Sequence, residues 1–214
     1  MGQNRWDIVV FDYGRVLSQA PTLSELQEFA ALVGISEPPF FELYSNTRDE
    51  YDCGRIDCQQ HWQCFADAAG ISLSSDQVQR IVEFENRMWL RVNPGTLKLA
   101  HDIRSYGIGT AILSNMPPDL LRELRQRFDW LSGFEVQIWS CERGIVKPAP
   151  AIYRLCMKQL NCEPQRVLFF DDRPRNVEAA QTLGMEAYVF ESAEHAAAIV
   201  RAGLNVRLKV EPEA

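Results

Sequence analysis

Four apolar segments of the chain each lead into polar side chains of the kinds that take part in catalysis. The first, VVFDYGRVL at 9–17, rises to the carboxylate of Asp12 and breaks at Gly14. The polar positions that follow the other three runs are Ser114-Asn115, Lys147 and the pair Asp171-Asp172. If these runs are strands of one open parallel sheet, the polar residues meet at its carboxyl edge, where such sheets bind ligands.

Carboxylates, a lysine and a hydroxyl–amide pair at one edge suit phosphoryl transfer through a covalent aspartate. Asp12 would be the nucleophile, which divides one difficult displacement into two easier ones. Mg²⁺ prefers oxygen ligands, and Asp12, Asp172 and a nearby backbone carbonyl would hold it and shield the nucleophile from an anionic substrate. Lys147 would add positive charge and keep Asp12 ionised. Ser114, Asn115 and the backbone N–H groups that follow would bind the phosphoryl oxygens together with Lys147.

Each of these residues also has a structural interpretation. Asp12 alone could be a turn residue, and Lys147 could be an ordinary surface lysine. Ser114-Asn115 precedes two prolines and would make a good helix N-cap, a role compatible with binding phosphate at the same helix start. Asp171 or Asp172 could cap a helix that begins near Pro174.

The elements that would position these residues are short strands that alternate with helices. Near-continuous apolar runs predict strands buried on both faces, at 7–12, 109–114, 136–140, 166–171 and 186–190. Helical patterns cover 95–107, 117–128, 148–160 and 174–184, the last of which ends at Gly184. This alternation predicts a doubly wound α/β sheet.

One interval is too long for a crossover between neighbouring strands. Residues 13–108 separate the first two strands, and only the helix at 95–107 is needed to connect them. Successive helical patterns fill the rest, at 25–35, 40–52, 57–70 and 75–91. We therefore expect a helical insertion at about 18–92 that lies over the strand ends.

Composition and net charge limit the kinds of molecule that this protein is expected to bind. The 214 residues carry a formal net charge of −7, which argues against a nucleic-acid partner or an anionic membrane surface. No segment is apolar enough for a signal peptide or a membrane span. The six cysteines include no C-x-x-C pair and favour reduced thiols over a disulfide framework. These features predict a cytoplasmic protein that acts on a small molecule, with a short acidic tail, VEPEA, at its end.

The combined motifs resemble the haloacid dehalogenase (HAD) superfamily of phosphohydrolases. The corresponding segments are FDYGRVL, ILSN, GIVKPAPAIY and FFDDRPRNVEAA, in that order, and the likeness spans residues 7 to about 190. It implies a Rossmann-like core at 1–17 and 93–214 with a helical cap at 18–92. It also implies that Asp172 ligates the metal directly, with Asp171 and Asn176 supporting the metal site.

The resemblance has one departure at the first motif. Most phosphatases of this superfamily carry a second aspartate two residues after the nucleophile, as general acid and base, and this chain has Gly14 there. The glycine keeps a backbone carbonyl for Mg²⁺, but it offers no proton, and general acid–base help is worth ~10²–10⁴ in rate. A similar branch, with glycine at that position, includes phosphatases of sugar phosphates such as glucose 1-phosphate. Here Arg15 follows, a further departure and a candidate substrate contact.

Two other functions remain open. The loss of the acid could mark a non-catalytic binding module, although buried carboxylates would be costly without their metal. A 2-haloacid dehalogenase would use the same aspartate without a metal, and by resemblance it would lack the acid pair Asp171-Asp172.

Several other residues of the inserted segment and the core invite a functional interpretation but are better explained structurally. We expect His61 to pack rather than to catalyse, and Trp89, Trp130 and Trp139 to belong to the core. Around Gly54, a sugar or acidic group could be recognised by Arg48, Tyr51 and Arg55, although solvated surface is the simpler interpretation of each.

Overall fold

The computed structural model describes residues 4–204, except for the side chains of residues 37 and 38. Its centre is a five-stranded sheet in the order β3-β2-β1-β4-β5, in which every neighbouring pair is parallel. The strands are β1 (Ile8–Phe11), β2 (Gly109–Ser114), β3 (Val136–Trp139), β4 (Val167–Asp171) and β5 (Glu186–Val189). This arrangement confirms the predicted α/β class and all five strands. The predicted acidic tail lies outside the described residues.

Both faces of the sheet are covered, which explains the apolar runs. Side chains that alternate along β1 enter two separate cores: Val9 and Phe11 pack on one face, and Ile8 and Val10 pack on the other. All four are buried. A strand enclosed on both sides shows no alternation of polar and apolar residues, and its sequence reads as a continuous apolar stretch.

The core helices follow the predicted pattern with two additions. They are α6 (Pro94–Ser105), α7 (Pro118–Arg127), the short α8 (Ser140–Arg143), α9 (Pro150–Leu160), α10 (Pro174–Thr182) and α11 (Ala193–Gly203). The short α8 was not predicted, and neither was α11. Helix α11 packs against α6, and Ala196 and Val200 enter the same core as Trp6.

The segment between β1 and α6 is helical throughout and has a core of its own. Its helices are α1 (Leu23–Val33), α2 (Glu37–Asn46), α3 (Asp49–Asp52), α4 (Cys58–Ala69) and α5 (Ser75–Trp89). Phe29, Phe40 and Trp62 are each at most 1% exposed and form the centre of that core. We call this segment the cap; its boundaries at 18 and 92 stay a prediction.

Two chain segments that run side by side connect the cap to the sheet. Ser18 and Val92 form an antiparallel bridge. Beside it, the Gln19 N–H donates to the Arg91 carbonyl at 2.7 Å, and the Asn93 N–H donates to the Leu17 carbonyl at 2.8 Å. The chain therefore runs out from the sheet and back to it through one paired connection. In the part of the chain that the structure describes, no helix has both the length and the apolar character needed to cross a bilayer.

Candidate active site

The strand order brings Asp12 and Asp171 together. The chain runs outward from β1 through β2 and β3 on one side, while β4 and β5 lie on the other. Phe11 is in register with Phe170, and the Asp12 N–H donates to the Phe170 carbonyl at 2.9 Å. Asp12 follows β1 directly and Asp171 ends β4, so the two carboxylates lie at the switch point where an open α/β sheet binds its ligands.

Lys147 lies between these two carboxylates. Its Nζ is 2.8 Å from an Asp12 oxygen and 2.6 Å from an Asp171 oxygen, and it also donates to the Leu113 carbonyl at 2.8 Å. The side chain is 1% exposed. Burial opposes the charge of the ammonium group, but Asp12 and Asp171 together outweigh that effect and raise the pKa of Lys147. It is thus a fixed positive charge and not the surface lysine of the structural interpretation.

The two oxygens of Asp12 have different surroundings. Oδ1 accepts hydrogen bonds from the Tyr13 N–H at 2.7 Å and from Lys147 at 2.8 Å. Among the described residues Oδ2 has no hydrogen-bond partner, and Asp12 lines a cavity of about 590 Å³. One oxygen therefore anchors the side chain, while the other is free to react.

The adjacent aspartates Asp171 and Asp172 have different surroundings. Asp171 is fully buried, and its Oδ2 accepts a hydrogen bond from Lys147. Its Oδ1 accepts hydrogen bonds from the Arg173 N–H and the Asn176 side-chain amide, each at 2.9 Å. Both of its oxygens are occupied. Asp172 lies in the cavity wall with a side chain that is 19% exposed. Asp172 is therefore the better direct metal ligand, and Asp171 with Asn176 the better support.

The carboxylates form a site that fits a hard cation. Asp12, Asp171 and Asp172 each have one oxygen within 4.8 Å of the others. Burial raises the pKa of Asp12 to about 7; Lys147 opposes this rise, and Asp171 and Asp172 add to it. Burial, followed by Asp171, also raises the pKa of Asp172. Lys147 and the half-exposed Arg15, 3.8 Å from Asp172, are fewer than the three carboxylates, and oxygen ligands in excess of positive charge are what Mg²⁺ binds.

Ser114 and Asn115 lie at the site but do not cap the next helix. That helix, α7, begins at Pro118, with Pro117 as its N-cap and no capping side chain. The N-cap interpretation is wrong because the two prolines delay the helix start. The Asn115 side chain instead bonds the backbone of Lys147, accepting from its N–H at 2.7 Å and donating to its carbonyl at 3.0 Å. It lines the cavity, whereas Ser114 is 1% exposed and does not.

At the other end of the site, α10 begins at Pro174 as predicted, and its N-cap is Arg173. Asp171 is not the N-cap of α10, but its carboxylate accepts a hydrogen bond from the N–H of Arg173, the residue directly before the helix. The structural and functional interpretations of Asp171 therefore coexist.

Gly14 and Arg15 form the irregular turn after Asp12. Gly14 has an ordinary negative φ of −61°, and a Cβ there would meet only a Trp89 ring carbon, at 3.9 Å. Neither the backbone nor the packing therefore requires glycine at this position. Arg15 has a φ of 58°, and its guanidinium lies 3.8 Å from Asp172 across the cavity mouth.

The cavity lies between the strand ends and the cap and has a volume of about 590 Å³. Its core wall comprises Asp12, Gly14, Arg15, Asn115, Lys147, Asp172, Arg173 and Asn176, with neighbouring residues. Its cap wall includes Leu26, Phe29, Phe41, Tyr44, Ser45, Arg48, Asp52, Met88 and Trp89. The cavity is of the size usual for a small-molecule site.

Two expectations for cap residues were wrong, and a third was incomplete. Trp89 packs against the core as expected, but it also lines the cavity, whereas Trp139 is fully buried. Arg48 and Tyr51 were expected at the surface, but the Arg48 side chain is 11% exposed and Tyr51 is 1% exposed. Arg55, with a side chain that is 57% exposed, does lie at the surface. The local sequence is rich in charge, and the burial of Arg48 depends on several partners, of which Glu85 is 37 residues away.

Those partners form a polar cluster in the cap. Arg48 donates through Nε at 3.1 Å and Nη2 at 2.8 Å to one oxygen of Asp52, and through Nη1 to Glu85 and, at 3.0 Å, to the Tyr44 hydroxyl. Tyr44 in turn donates to Glu85 at 2.5 Å. His61 stacks on Tyr51 with ring centroids 4.6 Å apart, and it packs as we expected. Burial, with a smaller effect of Arg48, lowers the pKa of His61 to about 3.

Comparison with known proteins identifies the family. A model of haloacid dehalogenase-like hydrolases matches residues 9–184, well over half of the chain. The chain belongs to this family of hydrolases. The "Phosphorylated carbohydrates phosphatase" of Thermotoga maritima is 26% identical over 192 residues, which cover 82% of this chain and 89% of that protein. The expected family and enzyme class are confirmed: the chain is a HAD-type hydrolase, and its relative is named as a phosphatase.

Solved structures show the same fold. A HAD family enzyme of Bacteroides thetaiotaomicron, crystallised with magnesium and inorganic phosphate, has a TM-score of 0.70 at 20% identity, covering 87% of this chain and 94% of its own. The L-2-haloacid dehalogenase of Xanthobacter autotrophicus has a TM-score of 0.63 at 20% identity, covering 95% of this chain and 85% of its own. A shared fold at this identity does not separate the two chemistries.

Proposed function

We propose that the protein is a magnesium-dependent phosphatase of small phosphorylated metabolites and that Asp12 is its covalent nucleophile. The supporting observation is the contrast between the two oxygens of Asp12. Lys147 and the Tyr13 N–H hold Oδ1, and Oδ2 is free in a cavity large enough for a small molecule. A buried carboxylate with one anchored oxygen is already oriented for attack, which lowers the entropic part of the barrier.

In the first step, Asp12 attacks phosphorus and the bond to the leaving-group oxygen breaks, which gives a phospho-aspartyl group. In the second, water attacks that phosphorus and returns the carboxylate. Lys147 stays charged throughout and stabilises both the nucleophile and the phosphoryl oxygens beside it. Asn115 keeps the Lys147 backbone in place through its two hydrogen bonds. Ser114 and the backbone N–H groups after it remain the proposed donors to the phosphoryl oxygens. Here Ser114 donates to the Asn115 carbonyl at 3.3 Å and the Met116 N–H donates to Ser140, so these two groups would have to exchange partners to bind phosphate.

Mg²⁺ would be held by Asp12, Asp172 and the Gly14 carbonyl, with Asp171 and Asn176 as support. When bound, it supplies positive charge against the phosphoryl oxygens and the crowded carboxylates. The acid pair at 171–172 is the feature that favours this chemistry over dehalogenation. A second carboxylate in the cavity wall can serve as a metal ligand, and a dehalogenase works without a metal.

The narrower substrate class is sugar phosphates. The resemblance of the first motif and the name of the Thermotoga maritima relative support this class. The cap would close over the substrate and select it, because nine of the 22 residues that line the cavity belong to the cap. A cytoplasmic location stays a prediction from the sequence.

The test is the release of inorganic phosphate from a panel of phosphorylated metabolites, glucose 1-phosphate among them, with Mg²⁺ and with EDTA. We expect release that requires Mg²⁺ and that disappears in Asp12→Asn, while the exposed Asp67→Asn behaves as the wild type. Turnover by Asp12→Asn at the wild-type rate would refute the proposal. If the folded, metal-binding wild type releases no phosphate from any compound, the non-catalytic binding module becomes the better description. Halide release from a 2-haloacid in EDTA would favour the dehalogenase.

A further inference from the structure

The proposed phosphatase lacks a proton donor at Gly14, and the protein must provide one elsewhere if its leaving groups are alcohols. The turn does not exclude an acidic side chain, since a Cβ at Gly14 would meet only Trp89 at 3.9 Å. General acid–base catalysis requires a group within hydrogen-bond reach of the substrate oxygen. Any substitute must therefore line the same cavity.

Asp52 meets this requirement. Within the described cavity wall, the acidic residues are Asp12, Asp172 and Asp52, and only Asp52 is outside the carboxylate cluster at the strand ends. Its Oδ1 receives both hydrogen bonds from Arg48. Its Oδ2 has no hydrogen-bond partner among the residues that the structure describes. This oxygen is not fully buried, so it stays accessible to solvent or to a ligand. With a side chain that is 12% exposed, Asp52 lines the cavity.

The backbone of Asp52 is fixed to the sheet side of the cavity. Ser140, directly after β3, donates its hydroxyl proton to the Asp52 carbonyl and accepts the Met116 N–H at 2.9 Å. The next cap residues also touch the core: a Cβ on Gly54 would lie 2.6 Å from the Cys141 carbonyl oxygen. This part of the cap is therefore held against the loops that follow β2 and β3.

The electrostatic surroundings of Asp52 suit a group that takes up and releases a proton. Burial raises the pKa of its carboxyl, and Asp49 adds to the rise. Arg48 opposes the rise, and so does Arg173 of the loop after β4, which places this carboxyl within electrostatic range of the core site. A raised pKa increases the fraction of the carboxylic acid near neutral pH.

Other polar groups of the cap are less suited. Glu85 is 2% exposed, does not line the cavity and is bonded by Arg48 and Tyr44. The Tyr44 hydroxyl donates its proton to Glu85 and accepts from Arg48, and its pKa is raised well above the usual value, mainly by burial. Arginine does not give up its proton.

We propose that Asp52, from the cap, is the general acid and base that replaces the missing aspartate at position 14. The inference rests on the proposed phosphatase function. As Asp12 attacks phosphorus and the ester P–O bond breaks, the Asp52 carboxylic acid gives its proton to the leaving-group oxygen, which departs as an alcohol. The Asp52 carboxylate then takes a proton from the water that attacks the phospho-aspartyl group. Phosphate leaves, the electron pair of the broken P–O bond returns to Asp12, and both carboxyl groups regain their starting states.

The test compares two leaving groups in Asp52→Asn. An alkyl phosphate releases a poorly stabilised alkoxide and needs a proton; 4-nitrophenyl phosphate releases a stable phenolate and does not. With single-turnover rates of phosphorylation, we expect the variant to lose ~10²–10⁴-fold with the alkyl phosphate and far less with the aryl phosphate. The asparagine keeps an oxygen for Arg48, and thermal unfolding checks that the fold is intact. Asp67→Asn, at an exposed position elsewhere in the cap, is the control and should leave both rates unchanged.

A second variant distinguishes proton transfer from positioning. Gly14→Asp has room for its Cβ and should restore much of the alkyl phosphate rate to Asp52→Asn, because it places an acid at the position used by the resembling phosphatases. Equal losses with both leaving groups, or no loss with either, would overturn the assignment of Asp52. If the asparagine disturbs the cap, Asp52→Glu is the alternative variant, because it retains the pair with Arg48 but moves the acid. A ratio of alkyl to aryl phosphate rates equal to that of the wild type would then refute the role of Asp52. Failure of the wild type to release phosphate through Asp12 would instead reject the phosphatase itself.

Discussion

At the scale of single residues, Lys147 makes it possible for two buried carboxylates to lie close together in the folded protein. It is the buried cation between Asp12 and Asp171, with Nζ 2.8 and 2.6 Å from their oxygens. A buried charge that loses its only close partner costs far more than an exposed pair does. The residue therefore contributes to stability and to chemistry through the same two contacts.

Lys147→Met should lower the free energy of unfolding by about 3–5 kcal/mol, because it leaves two buried carboxylates without their cation. Denaturant unfolding in EDTA measures this. Lys98→Met is the control: Lys98 and its partner Asp102 have side chains that are 75% and 43% exposed, and such pairs contribute little. The double variant Lys147→Met with Asp171→Asn should regain part of the loss. A Lys147→Met protein as stable as Lys98→Met would contradict this description of the site.

At the scale of elements, the contact between the cap and the core after β3 aligns the two halves of the cavity. Gly54 makes this contact with a positive φ of 74° and no room for a side chain against Cys141. On the same face, the Tyr51 hydroxyl donates to Asp119 at 3.0 Å and Arg55 donates to the Gly144 carbonyl at 3.1 Å. The cap therefore meets α7 and α8 through the segment that carries Asp52.

Gly54→Ala should lower kcat/KM and thermal stability, since the new Cβ would lie 2.6 Å from the Cys141 carbonyl oxygen and displace this part of the cap. Gly70→Ala is a matched control in the same cap. It has a similar φ of 68° with nothing within 4 Å, so it should show only the backbone strain, about 1 kcal/mol, at unchanged activity. Equal effects of the two substitutions would show that the Gly54 contact does not align the site.

The arrangement of strands and helices also explains which features of the site could be predicted from the sequence alone. Asp12, Lys147 and Asp171 were predictable because buried strands have a short, continuous apolar pattern, and parallel strands bring the residues after them to one edge. The role of Arg48 was not predictable in this way. Its spacing from Asp52 suggests an ordinary pair on a helix surface, but its burial depends on Glu85, 37 residues away. The second place of Trp89, in the cavity wall, was not predictable either, because an aromatic residue at helical spacing has the same sequence pattern in a core and in a cavity wall.

At the scale of the whole molecule, the carboxylates at the switch point link metal binding to folding. Asp12, Asp171 and Asp172 come from β1 and β4, which are far apart in sequence, and only the folded chain brings their oxygens within 4.8 Å. A cation that binds this cluster and not the unfolded chain stabilises the folded state by mass action.

Mg²⁺ at a hundred times its dissociation constant should stabilise the protein by about 2.7 kcal/mol. For a chain of this length that corresponds to a rise of roughly 5–10 °C in Tm. Differential scanning fluorimetry with Mg²⁺ and with EDTA measures the shift. Asp172→Asn should lose most of it, and the exposed Asp67→Asn should keep it. A full shift in Asp172→Asn would place the cation elsewhere.

The most direct measurement of the central claim is mass spectrometry of the enzyme after rapid quenching in acid during turnover with Mg²⁺ and a substrate found by phosphate release. We predict that the peptide containing Asp12 gains the mass of one phosphoryl group, that fragmentation assigns the group to Asp12 rather than Asp7, and that Asp12→Asn gains nothing. Phosphate release with no such peptide at any quench time, or a phosphoryl group on another residue, would contradict the role assigned to Asp12.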